Sequence, residues 1–214
     1  MPKETFINLS LEKQEKVMRA AIHEFLTHGY ESGNIGEIAK NAGVAKGSMY
    51  QYFENKKELF LYSVHWTMEL FMKIDSNSML FQTKDINFFD VLNMTLDQGW
   101  IQLKEEKEAA LFMQEVMLGT FNPVAAESRK AMLKTSEDFL LKLIKDGQKN
   151  GYFRTDIDDE MLLMFLLGAS MRFKEKFLNQ ARLSETAFSD EYLEVYRKKL
   201  KSIFELILNG MGVK

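Results

Sequence analysis

Apolar residues recur along most of this chain with the three-to-four spacing of helices that bury one face. Between Ser10 and Gly29, Val17, Ala21 and Phe25 fall at i, i+4 and i+8, flanked by Ala20 and Ile22. This predicts a helix over about 10–28, capped at its start by Ser10 and closed by the glycine. Asn34 and Glu37 read as a cap and its reciprocal partner, opening a helix over about 35–42 that Gly43 ends. A short helix follows over about 45–52. Asn55 and Glu58 repeat the start signal and open a long helix to about 73, with Leu59, Phe60, Ser63, Val64, Thr67 and Phe71 on its inner side. After a loop at 76–85, the pattern predicts helices over roughly 86–104, 106–120, 123–149, 158–181 and 188–209. Pro123 falls at a helix start, where its missing N–H does no harm. Lys149-Asn150-Gly151 is a helix stop. The expectation is an all-α fold.

Composition supports that reading and excludes several functions. The 214 residues include two prolines and no cysteine. Disulfides, thiolate metal sites and cysteine nucleophiles are therefore absent. The longest apolar run, MLLMFLLGASM at 161–171, is far short of the ~20 residues that span a bilayer. The charged opening MPKETFINLSLEKQEK lacks the apolar core of a signal peptide. A cytoplasmic protein without membrane contact is expected. The net charge of −3 gives no hint of nucleic acid. Between residues 40 and 57, however, Lys40, Lys46, Lys56 and Lys57 face Glu54 alone. Any nucleic-acid surface must be local.

The segment that departs from a generic helical protein is GNIGEIAKNAGVAKGSMYQYFENKKELF, residues 33–60. Ala39 is small where two helices would cross, and Gly43 can turn the chain at positive φ. Ile38, Ala42, Val44, Met49 and Tyr52 supply apolar contacts. This is a helix-turn-helix pattern, although spacing alone leaves an ordinary helical hairpin open.

The residues Gly29-Tyr30, Ile38-Ala39, the run from Ala42 to Tyr50, Tyr52-Phe53, Asn55-Lys56 and Glu58-Leu59 resemble the N-terminal domain of the TetR family of bacterial transcriptional regulators. The resemblance covers about residues 10–60. It implies an N-terminal helix-turn-helix DNA-binding domain over residues 1–60 and a helical effector-binding and dimerisation domain over 61–214. By residue matching, Lys46, Ser48 and Gln51 are the candidates for base contacts, and Gly47 permits close approach of the backbone to DNA. Tyr50 and Lys56 are the candidates for phosphate contacts, and Asn34 can cap and reach a phosphate. Gly33 and Asn34 stand where the family usually has a threonine pair. Ala45 replaces a common Ser or Thr and cannot cap with its side chain, at a cost of about 1 kcal/mol.

The resemblance further implies a homodimer on a palindromic operator in double-stranded DNA, a repressor's role, and release by a small apolar effector. Leu162, Phe165, Leu166, Ala169 and Phe173, with Leu193, Tyr196, Leu200, Ile203, Phe204 and Ile207, suffice for two apolar faces, as a two-plus-two helix dimer needs. Trp66, Trp100, Phe112, Met113, Met117, Phe121 and Met171 suggest an adaptable apolar cavity. His65, Glu115 and Arg172 are its candidate polar groups. Met and Phe at helical spacing are equally the material of plain core. No cofactor or metal is expected, because His23 and His28 do not share a helix face. No phosphate loop or nucleophile elbow occurs, so an enzyme is not expected. The alternative is a helical interaction or ligand-binding protein that keeps a vestigial DNA-binding motif.

Overall fold

The computed structural model describes residues 1–72, 105–182 and 189–211. Among these the chain forms helices α1 (Glu4–Ile7), α2 (Leu11–Ser32), α3 (Ile35–Asn41), α4 (Lys46–Tyr52) and α5 (Lys56–Met72). They are followed by α6 (Lys107–Leu118), α7 (Ala125–Lys149), α8 (Asp159–Arg182) and α9 (Asp190–Met211). The expected all-α class holds. The helix expected at 86–104 and the loop at 76–85 lie outside the described residues.

Local chemistry accounts for most boundaries and corrects a few. Ser10 caps α2 by accepting from the Lys13 N–H at 3.4 Å. Gly29 interrupts α2 at φ 74, and one more helical turn runs on to Ser32. The stop expected at Gly29 is therefore a kink. Pro123 lies two residues ahead of α7 rather than at its first position, and its peptide bond to Asn122 is cis. Helix α1 was not foreseen. Its four residues are too few to show a period.

The first compact unit comprises Met1–Phe71 and Glu105–Leu133. Its centre is aromatic. Phe60 is fully buried and meets Phe25, Tyr30, Phe112 and Phe121 with ring centroids 4.9–5.5 Å apart. Edge-to-face pairs of this kind add to the area they bury. Val17, Met18, Ala21, Ile38, Met49 and Val64 complete the interior. An ion pair and a histidine–carboxylate contact fasten α2 to the start of α6. Arg19 forks onto Glu106 with bonds of 2.6 and 2.7 Å, and His23 meets Glu108 at 2.8 Å.

The second unit is described through residues 134–182 and 189–211. Ile144, Phe153, Leu162 and Leu166 form its core, with Leu140, Ala169 and Ile203 packed against them. Phe153 lies so close to Gly147 that a Cβ there would sit 2.5 Å from its ring. On α8, by contrast, Met161, Met164 and Phe165 are more than half exposed.

Candidate nucleic-acid interface

Helices α3 and α4 pack together, and Ala39 on α3 is buried to 1% exposure. The turn between them is made by Gly43 at φ 70, a conformation that costs other residues strain. It is closed by the Val44 N–H donating to the Ala39 carbonyl at 2.9 Å. Met49 points inward from α4, while Lys46, Gly47, Tyr50 and Gln51 are exposed and Ser48 is half-buried. The seven-residue α4 thus buries one large side chain and leaves its other face bare. Its first residue has no side-chain cap, because Ala45 has none to offer.

A groove of about 450 Å³ runs beside that bare face. It brings together Asn34, Lys46, Tyr50 and Lys56 from the predicted set, and adds Ser32, Asn55 and Glu54. Gly47, Ser48 and Gln51 lie on α4 outside its lining. The Lys46 stem passes over Gly36, within 3.6–3.7 Å of where a Cβ would stand.

The polar contacts in the groove differ from those the spacing suggested. Asn34 caps α3 by accepting from the Gly36 N–H at 2.7 Å. Its own N–H, however, goes to Glu24 at 2.9 Å rather than to Glu37, which pairs with Lys40. Glu24 is 5% exposed on α2, ten residues upstream, so no local spacing rule could find it. At the start of α5, Asn55 accepts from Glu58 N–H at 2.9 Å as expected. The Glu58 carboxylate returns to the N–H of Glu54, not of Asn55. Lys56 donates to the carbonyls of Glu31 and Gly33 at 2.8 and 3.2 Å, and its ammonium sits 5.0 Å from the Tyr30 ring centroid. It neutralises the carbonyl end of α2 while still lining the groove. Gly33 is required for packing. A Cβ there would stand 2.9 Å from the Phe25 ring and 3.0 Å from the Gly29 carbonyl, which leaves no room for the family's usual threonine.

Residues 17–62 match the family model described as bacterial regulatory proteins, tetR family. Residues 17–62 are a tetR-family helix-turn-helix segment. Its relatives include an uncharacterized HTH-type transcriptional regulator, YdgC of Bacillus subtilis, 26% identical over 172 residues, covering 78% of this chain and 82% of that protein. The fatty acid metabolism regulator of the same organism is 37% identical over 49 residues, 23% of this chain and 25% of that protein. Among solved structures, the fatty acid degradation regulator FadR of Bacillus halodurans superposes with a TM-score of 0.64 at 20% identity, over 94% of this chain and 96% of that one. FadR of Bacillus subtilis, solved in complex with stearoyl-CoA, gives 0.62 at 18% identity, over 92% and 98%. These tetR-type neighbours share an N-terminal helix-turn-helix and a helical C-terminal domain. The tetR family is one of transcriptional regulators, not of enzymes.

The residues proposed from sequence for an effector fall in both units. His65 pairs with Glu69 at 3.3 Å, and Trp66 lies 5.9 Å from the Arg19 guanidinium. Phe112 and Phe121 are buried against Phe60 and each other. Met117 is buried on α6, and Met113 and Glu115 are half-buried there. Met171 and Arg172 belong to the second unit, where Arg172 is exposed and paired with Glu175 at 2.8 Å. Trp100 lies outside the described residues. Among the described residues no helix is long and apolar enough to cross a membrane.

Proposed function

We propose that this tetR-family regulator is a ligand-responsive repressor that binds a palindromic operator as a homodimer and is released by an apolar small molecule. The observation that carries the DNA-binding part is α4: a short helix that buries Met49 and holds Lys46, Gly47, Tyr50 and Gln51 in the open. In this reading Lys46, Ser48 and Gln51 read base edges, Gly47 admits the backbone, and Asn34, Tyr50 and Lys56 engage phosphates. Residues 1–60 act as the DNA-reading domain and 61–214 as the effector and dimer domain. Exposed Met161, Met164 and Phe165, at i, i+3 and i+4 on α8, supply an apolar face for a second copy.

Helix α6 is the route for control. It carries Met113 and Met117, and its start is tied to α2 through Arg19–Glu106 and His23–Glu108. A ligand that wedges beside Trp66, Met113 and Met117 displaces α6 and, through those pairs, α2. It acts only through its differential affinity for the two head arrangements, a coupling of ~1–3 kcal/mol. Relatives named for fatty acid metabolism make long-chain acyl thioesters the first ligands to assay.

Selection from random duplexes tests the reading. The expected result is enrichment of a palindrome whose half-sites lie about 34–36 Å apart. A selection with no enriched sequence overturns it in favour of an interaction protein with a vestigial motif.

A further inference from the structure

A helix leaves its last four carbonyls without partners inside itself. In α4 these belong to Met49, Tyr50, Gln51 and Tyr52, and each has a partner. Met49 accepts from the Phe53 N–H at 2.8 Å, which is α4's own continuation. The other three are met from the far end of the sequence. Lys3 Nζ donates to the Tyr50 carbonyl at 2.8 Å, Thr5 Oγ1 donates to the Gln51 carbonyl, and the Lys3 N–H donates to the Tyr52 carbonyl at 2.9 Å. Phe6, fully buried, anchors this segment against Tyr52, Phe53 and Tyr62 with ring centroids 4.9–5.7 Å apart.

From this accounting we infer that residues 3–6 form a positioning arm that fixes the orientation of the recognition helix from its C-terminal end. Helix α4 has no basic residue in its own last turn. The Lys3 ammonium supplies the positive charge that the carbonyl end of a helix favours. Seven residues are too few to hold a helix rigid alone. With its start left without a side-chain cap at Ala45, the arm is what secures the other end. The two exposed side chains nearest that end, Tyr50 and Gln51, belong to residues whose carbonyls the arm holds. A loose arm therefore lets the DNA-reading side chains sample several directions, and specific contacts suffer before general attraction to phosphates does.

The inference rests on the DNA-binding reading, and the experiment separates the two. The selected duplex and an unrelated duplex are titrated against full-length wild type, Lys3→Ala, Thr5→Val and the double variant over a range of salt. Amide hydrogen exchange of residues 49–53 is followed in the free proteins. The double variant is expected to lose about tenfold or more in affinity for the selected duplex, in line with hydrogen bonds one of which is charged. It should lose much less on the unrelated duplex and keep the salt slope. Its residues 49–53 should exchange faster, while Lys3→Arg and Thr5→Ser stay near wild type. A drop of about one unit in the salt slope, with equal weakening on both duplexes, would make Lys3 a phosphate contact and overturn the positioning role. Unchanged affinity and exchange would overturn it as well. Absence of any selected sequence for wild type would instead refute the DNA-binding reading.

Discussion

Lys56 illustrates how one side chain can hold two jobs. Its ammonium has three protons, and two are directed at the carbonyls of Glu31 and Gly33. The same side chain also lines the groove beside α4. Lys56→Ala should therefore lower the stability of the head by about 1 kcal/mol in urea unfolding, and separately reduce the salt slope of DNA binding by about one unit. A stability loss with an unchanged slope would confine Lys56 to capping. Gly33 behaves differently. Its backbone is ordinary, and only the Phe25 ring and Gly29 carbonyl forbid a side chain. Gly33→Ala should cost about 1–3 kcal/mol by overpacking, read as a lowered urea midpoint with the slope of the transition unchanged. Gly47 has nothing within 4 Å of a would-be Cβ. Gly47→Ala should thus stabilise the free protein by roughly 0.5–1 kcal/mol through helix propensity. Operator affinity should fall if DNA approaches as closely as proposed, and an unchanged affinity would place the backbone farther from the duplex.

Among the elements, the ones legible in the sequence are those whose signals are local. Ser10, Gly43, Asn55 and Gly151 each mark an end through contacts within a few residues, and the described helices from α2 to α9 fall within a few residues of expectation. What sequence could not show is the chemistry that comes from afar: Glu24 serving Asn34, and the α1 segment serving the end of α4. The composition of Lys3-Glu4-Thr5-Phe6, a donor pair beside an aromatic ring, was the available hint, and it has no period to make it stand out. The link between α2 and α6 is equally remote, at 87 residues between Arg19 and Glu106. Arg19 holds the Glu106 carboxyl below the usual carboxylate range, chiefly by hydrogen bonding. A carboxyl lowered on folding adds stability above its unfolded pKa, and that part is lost as pH falls through the folded value. Glu106→Gln should therefore be less stable than wild type near neutrality, and the gap should close as pH drops below about 4. Urea midpoints at pH 7 and pH 3.5 check this. Both partners are partly exposed, so the gap should also shrink in high salt.

At the scale of the whole molecule, Met161, Met164 and Phe165 are exposed at helical spacing on α8 and are the face proposed to meet a second copy. Phe165→Glu with Met164→Lys should yield monomers in sedimentation and abolish tight operator binding, with the helix content of each chain unchanged. A variant that stays dimeric would move the joint elsewhere. The effector prediction is a matter of reciprocity. Operator DNA must weaken ligand affinity by the same factor by which ligand weakens DNA affinity, and paired titrations measure both. The effector residues were the least legible, because Phe112, Phe121 and Met117 have the same pattern whether they line a cavity or fill a core. Their packing against Phe60 has a consequence for recombination. The DNA head does not end where its motif ends: Phe60 takes two of its ring neighbours, and Arg19 one of its two carboxylate partners, from residues 106–121. A chimera that joins this head to a foreign ligand domain at residue 60 would strand an aromatic ring at the seam and leave the Arg19 guanidinium with Glu15 alone. Exchanges that carry residues 105–133 along with 1–71 keep that core whole, so the unit to transplant here is a two-segment cassette.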